Sequence, residues 1–396
     1  MTNIQSAKEF IHQSNADAWI AVDYENKNPA VAHFLGKKML TRKLFLVIPA
    51  QGMPYIICHV IDRVYLDVAE ITETFQLRPY KTWQEMLNLA KASFATYRCA
   101  LMDISEKGLL PNVSHADYGT VRFVESLGIQ VKPSADLLQR FTAILNEKAL
   151  QSQKKACKAC LEIKDEAFRF IAMEIRKNGQ TTEYEVQRFI VNRFRQEGMV
   201  FDEAPIVAIG PNASNPHYAP TENTFSPIRE GDLVLIDMWA KYEEEGSVYA
   251  DITWMGFVGE SVPEQFASRF EIIRAARDAA IAFLRYELPN RPVQAWEADA
   301  IARKVIEKAG YGQYFTHRLG HSIYSNESPH GPGANLDDYE SHDTRILLDG
   351  TSFSDEPGIY APDFGMRTET DLHIQNGQLL VLGGLQEKIV PILALP

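Results

Sequence analysis

The 396-residue chain is longer than one ordinary hydrophobic core supports, so two domains are expected. Apolar residues at 45% and charged residues at 23% describe a globular chain rather than a disordered or fibrous one. A formal charge of −12 argues against nucleic acid and against an anionic membrane surface as partners, since both are themselves negative.

The opening residues carry no basic start followed by an apolar run, so no export signal is expected. No apolar stretch approaches the roughly 20 residues that span a bilayer. Four cysteines, Cys58, Cys99, Cys157 and Cys160, are too few for a disulfide framework, and a cytoplasmic protein with reduced thiols is the expectation. Residues 1–145 have the pattern of an α/β domain. A helical start at Ala7–Ser14 precedes an apolar strand over 18–22, and two further strands at 44–48 and 55–58 flank turn-forming residues 49–54. Another strand, 99–103, leads to a helix near 118–127. Chemistry-bearing side chains are sparse here. Trp19, Tyr24, Phe34 and Trp83 add apolar bulk suited to subunit contacts or to the domain's own core.

From about 136 to 177 the pattern is helical and nearly free of breakers, and the domain junction falls within it. Cys157 and Cys160 lie in this stretch as helix residues, with no second cysteine pair to suggest a redox or zinc site. Thr182 with Glu185 makes a capping box, and Val186, Phe189, Ile190 and Phe194 then share one helix face before the stop at Gly198. Helices over about 264–285 and 292–308 follow. Helices and then a hairpin, twice over, suggest an internal duplication.

The chemistry concentrates between Leu233 and Glu369. Asp237 and Asp251 are 14 residues apart, and Glu356 and Glu369 are 13 apart. Either gap suits two strands and a turn, so each pair can face one point from neighbouring strands. Four carboxylates aimed at one buried point repel one another unless cations lie between them. With His321, they form a hard ligand set suited to two divalent ions about 3.5–4 Å apart.

Asp237, Asp251, His321, Glu356 and Glu369, with Glu356-Pro357-Gly358 and Arg367-Thr368-Glu369 around the last two, resemble the pita-bread metallopeptidases: methionine and Xaa-Pro aminopeptidases, prolidases and the metal-free creatinases. The resemblance extends upstream through 209–217 and covers about residues 150–396 well. It implies an α/β N-terminal domain over 1–145, creatinase/prolidase-like, and an α+β pita-bread catalytic domain of the creatinase/aminopeptidase type over 146–396. It implies that Asp237 chelates one ion, that Asp251 and Glu369 bridge two, and that His321 with Glu356 holds the other. Manganese is the expected metal, with cobalt, zinc or iron as alternatives. His217 and His330 would contact substrate and oxyanion, and Glu356 would pass the proton of the attacking water. His317 and Arg367 would line the proline-side pocket, where Tyr360 fits equally well as a core residue.

The implied activity is a dinuclear metal-dependent hydrolase that removes the N-terminal residue of short, proline-containing peptides at Xaa-Pro bonds, working as a homodimer. A creatinase-like hydrolase of a small non-peptide C–N bond and a non-catalytic pita-bread binding protein remain alternatives, although both usually go with lost ligands. Some positions depart from the family pattern. Trp239 and Trp254 stand where glycine and arginine are usual, Ser322 and Tyr324 replace glycines, and His330 lies nine residues past His321, a longer gap than usual. These departures are expected to surround the pocket and to bear on substrate choice.

Overall fold

The computed structural model describes residues 3–36 and 38–396, so Met1 and Thr2 of the N-terminal stretch considered above lie outside the described residues. The chain divides into two compact units, Met1–Thr142 and Ala143–Pro396.

In the first unit, strands β1 (Ala18–Asp23), β2 (Leu44–Pro49), β3 (Tyr55–His59), β4 (Gln76–Tyr80), β5 (Cys99–Met102) and β6 (Gln130–Pro133) form one sheet in the order β4-β3-β2-β1-β5-β6. Helices α1 (Asn3–Gln13), α2 (Pro29–Leu35), α3 (Val60–Leu66), α4 (Ala69–Thr72), α5 (Trp83–Phe94), α6 (Tyr118–Ser126) and α7 (Ala135–Thr142) flank and connect the strands, except that β2 leads directly into β3. Every predicted strand is present. The two that sequence missed, β4 and β6, are polar, proline-containing edge strands that pair in parallel with β3 and β5, so no apolar run marks them. Strand β1 is covered on both faces, with Trp19 and Ala21 in one apolar cluster and Ile20 and Val22 in the other. Trp19 therefore offers no surface for subunit contacts. Its ring packs on Phe34 and Phe141, and its indole N–H donates to Asp103 at 2.7 Å. Tyr24 and Trp83 are exposed.

The second unit begins with α8 (Glu147–Asn178). The predicted long helical stretch is broken before it, where the Asn146 side chain accepts from the Ala149 N–H at 2.9 Å as an N-cap. The helix ends at Gly179 in the left-handed conformation (φ 77°). Short β7 (Thr181–Thr182) pairs with β10 (Pro227–Ile228), and α9 (Glu183–Gln196) starts where the Thr182 hydroxyl accepts from Glu185 N–H at 3.0 Å. Strands β8 (Met199–Val200) and β9 (Ile206–Ile209) both pair with β11 (Leu233–Tyr242), whose other edge pairs with β12 (Ala250–Phe257). Helices α10 (Glu264–Glu287) and α11 (Ala295–Lys308) precede β13 (Ser322–Ile323), β14 (Ser352–Asp355), β15 (Gly358–Ala361), β16 (Phe364–Arg367), β17 (Thr370–Gln375), β18 (Gln378–Val381) and β19 (Val390–Pro391). Strands β13-β14-β17-β18 form a second sheet, β15 and β16 a separate hairpin, and β19 extends the first sheet beside β12. The order of two helices and then a paired-strand element thus recurs. The β11–β12 ladder is covered on both faces. Val234, Ile236, Met238 and Ile252 pack with α8 and α9, while Leu233, Leu235 and Met255 join the core of α10 and α11.

Candidate metal centre and its cavity

Asp237 and Asp251 arise from the two-residue period of that ladder. Asp237 pairs with Thr253 and Trp239 with Asp251, so all four side chains share one face. Along β11, Val234, Ile236 and Met238 fill the opposite face, which leaves the aspartates as the polar positions of an otherwise apolar sheet. Both are buried.

The second carboxylate pair is built differently from the simple hairpin that spacing predicts. Asp355 pairs with Thr370 at the end of the β14–β17 ladder, and Gly358 pairs with Arg367 at the start of the β15–β16 hairpin. Glu356 and Glu369 sit at the break between these two ladders, where both strands bend. Glu369 N–H donates to Thr253 O at 3.1 Å, and Glu356 N–H donates to Leu319 O at 2.8 Å. These bonds tie the second pair to the first and to the His321 segment.

His321 precedes β13, and its N–H donates to Ser354 Oγ at 2.9 Å. Gly320 is required here, because a Cβ would stand 1.9 Å from the Ser354 carbonyl oxygen. The His321 Nδ1–H donates to the Ser322 carbonyl at 3.1 Å, which leaves the Nε2 lone pair facing the carboxylates. Nε2 lies 3.4 Å from Asp251 Oδ2 and 3.6 Å from Glu356 Oε1. Burial, with His330 and Arg318 nearby, holds its pKa well below the usual value, so the ring is neutral and able to ligate.

Ligand atoms of Asp251, His321 and Glu369 all lie within 4.8 Å of one another. Asp237 and Glu356 flank this triad. Asp237 is ion-paired with the Arg367 guanidinium, which also donates to Thr253 Oγ1 and to the Tyr360 hydroxyl oxygen, each at 2.9 Å. Thr253 in turn donates to Glu369 at 2.7 Å. Burial and then Glu369 and Asp237 push the Asp251 carboxyl well above its ordinary range. Burial and then Glu356 and Asp237 do the same to Glu369, and burial raises Glu356 to about 7. One guanidinium cannot neutralise four carboxylates, so full ionisation needs further positive charge. Oxygen donors with one neutral imidazole fit hard or borderline divalent cations.

The cage floors a cavity of about 610 Å³. His217 stands exposed at its rim, and its N–H donates to the Asn215 side chain at 3.1 Å. The long gap between His321 and His330 is a loop that folds back on itself, because Ile323 bridges to His330. Lys241 and Tyr249 donate to the carbonyls of Asn326 and Glu327 at 2.6 and 2.7 Å and pin that loop. His317 lines the cavity, and its Nδ1–H donates to the Arg318 carbonyl at 2.6 Å. Tyr360 lies behind the wall, donating to His317 Nε2 at 2.7 Å. Burial with Arg367 nearby holds the His317 pKa down to about 3.

The departures do not all surround the cavity, contrary to expectation. Of the four substituted positions, Trp239 lines it. Trp254 is on the opposite sheet face by the two-residue period, in the α8–α9 core with Lys164 Nζ 3.6 Å from its ring centre. Ser322 is buried with its hydroxyl accepting from Gly333 N–H at 3.0 Å, and Tyr324 packs in a small cluster with Leu145 and Tyr249. Cys157 and Cys160 are buried on α8, with thiols pushed well above the usual range by burial and then Asp371. Sequence reasoning missed Asp371, which accepts from Cys157 and from the Asp251 N–H, both at 3.1 Å. Its place two residues past Glu369 was the available signal.

Fold and site together define a two-unit pita-bread protein whose central cage suits divalent cations. The chain belongs to metallopeptidase family M24, whose family model matches residues 152–376, and this family binds divalent metals. It is 37% identical to an Xaa-Pro dipeptidase of Lactobacillus helveticus over 179 residues, a match spanning 44% of this chain and 43% of that one. It is 27% identical to an Xaa-Pro dipeptidase of Pyrococcus horikoshii over 380 residues, 93% of either chain. The crystal structure of dipeptidase PepE from Mycobacterium ulcerans shares the fold, with a TM-score of 0.68 at 22% identity over 98% of this chain and 97% of that one. No helix among the described residues is long and apolar enough to cross a membrane.

Proposed function

We propose that this chain is a dinuclear metal-dependent exopeptidase that removes the N-terminal residue of short peptides at Xaa-Pro bonds. The observation that carries the reading is the convergence of Asp251, His321 and Glu369 on one point, with Asp237 and Glu356 beside them on the cavity floor. Asp237 would hold one ion, Asp251 and Glu369 would bridge, and His321 with Glu356 would hold the second. When bound, such ions supply Lewis acidity towards a water and a peptide carbonyl. Manganese leads among the candidates, ahead of cobalt, zinc and iron.

The chain's own residues do the rest. Glu356 would take up and pass on the proton of the attacking water, since a ligand carboxylate beside that water is placed to do so. His217 and His330 place N–H donors where negative charge develops on the carbonyl oxygen. His317, fixed by Tyr360 and by the Arg318 carbonyl, presents a neutral, fixed ring to the proline side. Arg367 supplies a buried positive charge beside it. The acidic net charge and four free cysteines support a cytoplasmic setting without nucleic-acid or membrane partners, and exposed Tyr24 and Trp83 are compatible with a homodimer. Incubation with manganese and Ala-Pro tests the reading. Release of free proline that stops on chelation is expected, and its absence with manganese, cobalt and zinc alike would overturn it.

A further inference from the structure

Trp239 does more than fill the cavity wall. Its indole N–H donates to Asp202 Oδ1 at 2.6 Å, and both residues line the cavity that holds the metal cage. Strand register explains how Asp202 arrives there. Lys241 pairs with Val200, whereas Asp237 pairs with Ile206. Five residues, 201–205, therefore face only three of β11, 238–240, and the two extra residues bulge out at the sheet edge. Carrying the β8 register two residues further sets Asp202 opposite Trp239, which itself pairs with Asp251. Asp202, in the loop past β8, thus comes beside Trp239, which pairs with Asp251, and the three lead from the cavity edge to the cage.

We propose that Asp202, oriented by Trp239, receives the free N-terminal ammonium of the substrate. This rests on the exopeptidase reading and deepens it, by naming what lets the site require a free amino end. The cage carboxylates are committed to cations. Of the cavity's other carboxylates, Glu340 accepts from Arg318 N–H and Nη1, both at 3.0 Å, and is neutralised there. Asp202 accepts from the neutral indole N–H and forms no ion pair among the described residues, with the Lys241 ammonium on its far side and a second carboxylate, Glu203, next to it in the cavity. An ammonium in this corner meets a carboxylate and an indole ring, both of which attract it. A glycine at position 239 could neither orient Asp202 nor offer that ring.

The test is equilibrium binding to the metal-loaded protein of two compounds: a hydrolysis-resistant thioamide of Ala-Pro, and the same thioamide lacking the amine. The native protein is expected to prefer the amine-bearing compound by about tenfold or more, as for a charge-assisted hydrogen bond. Asp202→Asn should abolish most of that preference, leaving metal content and affinity for the amine-free compound unchanged. Trp239→Phe, which keeps the ring and loses the N–H, should fall between. If Asp202→Asn keeps the preference, or weakens both compounds equally, the assignment is wrong while the peptidase reading stands. If the native protein binds both compounds equally, this assignment alone fails. If it binds neither, both fail.

Discussion

The rings of His321 and His330 meet edge to face, centroids 4.2 Å apart and 75° between planes, although they stand nine positions apart in the chain. His321 turns Nε2 to the carboxylates, and His330 stands against its ring on the cavity side. His330→Ala should therefore lower kcat/KM about a hundredfold while leaving metal content intact, as expected for a lost transition-state donor. The same split is expected for His217→Ala. Metal analysis beside steady-state kinetics checks both, and loss of metal from either variant would place that histidine among the ligands instead.

Gly320 must approach the Ser354 backbone closely, and it fixes His321 in doing so. Gly320→Ala should destabilise the fold by about 3 kcal/mol, near the upper end for forced overpacking. Urea unfolding measures this, and a variant as stable as the native protein would show that the His321 segment yields easily.

Metal-free stability should depend on pH in a definite direction. In the fold, burial raises Glu356 from 4.5 to about 7 and Asp371 from 3.8 to about 7. A raised carboxyl pKa means that ionisation opposes folding, so stability falls as pH rises through the interval between the unfolded and folded values. Buried His317 and His373, held to about 3 and about 4, act oppositely, losing stability as pH falls below 6.5. The carboxylates act alone only above about pH 6.5. Chelator-treated protein should thus melt lower at pH 8 than at pH 6.5, and bound metal should remove that loss. Thermal melts with and without metal decide, and identical pH trends would contradict the account.

Trp239 and Trp254 were expected to act alike, yet they face opposite sides of one sheet. Trp254→Phe should leave kcat and KM for Ala-Pro unchanged within about twofold, since its ring does not line the cavity and its indole nitrogen is buried with no hydrogen-bond partner among the described residues. Trp239→Phe should raise KM. Equal effects from the two changes would mean that the sheet face does not decide their roles.

Much of the site was legible because its chemistry sits in short, regular patterns. An aspartate after an unbroken apolar run marks a polar position in a doubly covered strand, and Asp237 stands at such a point. The close approach of Gly320 to Ser354 was not read from the sequence, because only the fold brings the two segments together. The break between β14–β17 and β15–β16 was not legible, since spacing alone cannot distinguish one hairpin from two ladders bent at Pro357. Sequence separation also misled at His330, where the bridge to Ile323 closes a loop that a residue count makes look too long. Trp254 was misplaced because the two-residue strand period, which sets it on the face opposite Asp251 and Thr253, was not applied to it. Asp202 was silent because only the unequal pairing of β8 and β9 along β11 brings it to the cavity.

The central claim is a cage of four carboxylates and one imidazole that holds two divalent ions, with Asp251 and Glu369 shared between them. Elemental analysis of the purified native protein, Asp251→Asn and Glu369→Gln tests it most directly. Two ions per native chain are expected, with lowered metal content and nearly abolished turnover in each variant. Full metal occupancy in both variants would contradict it.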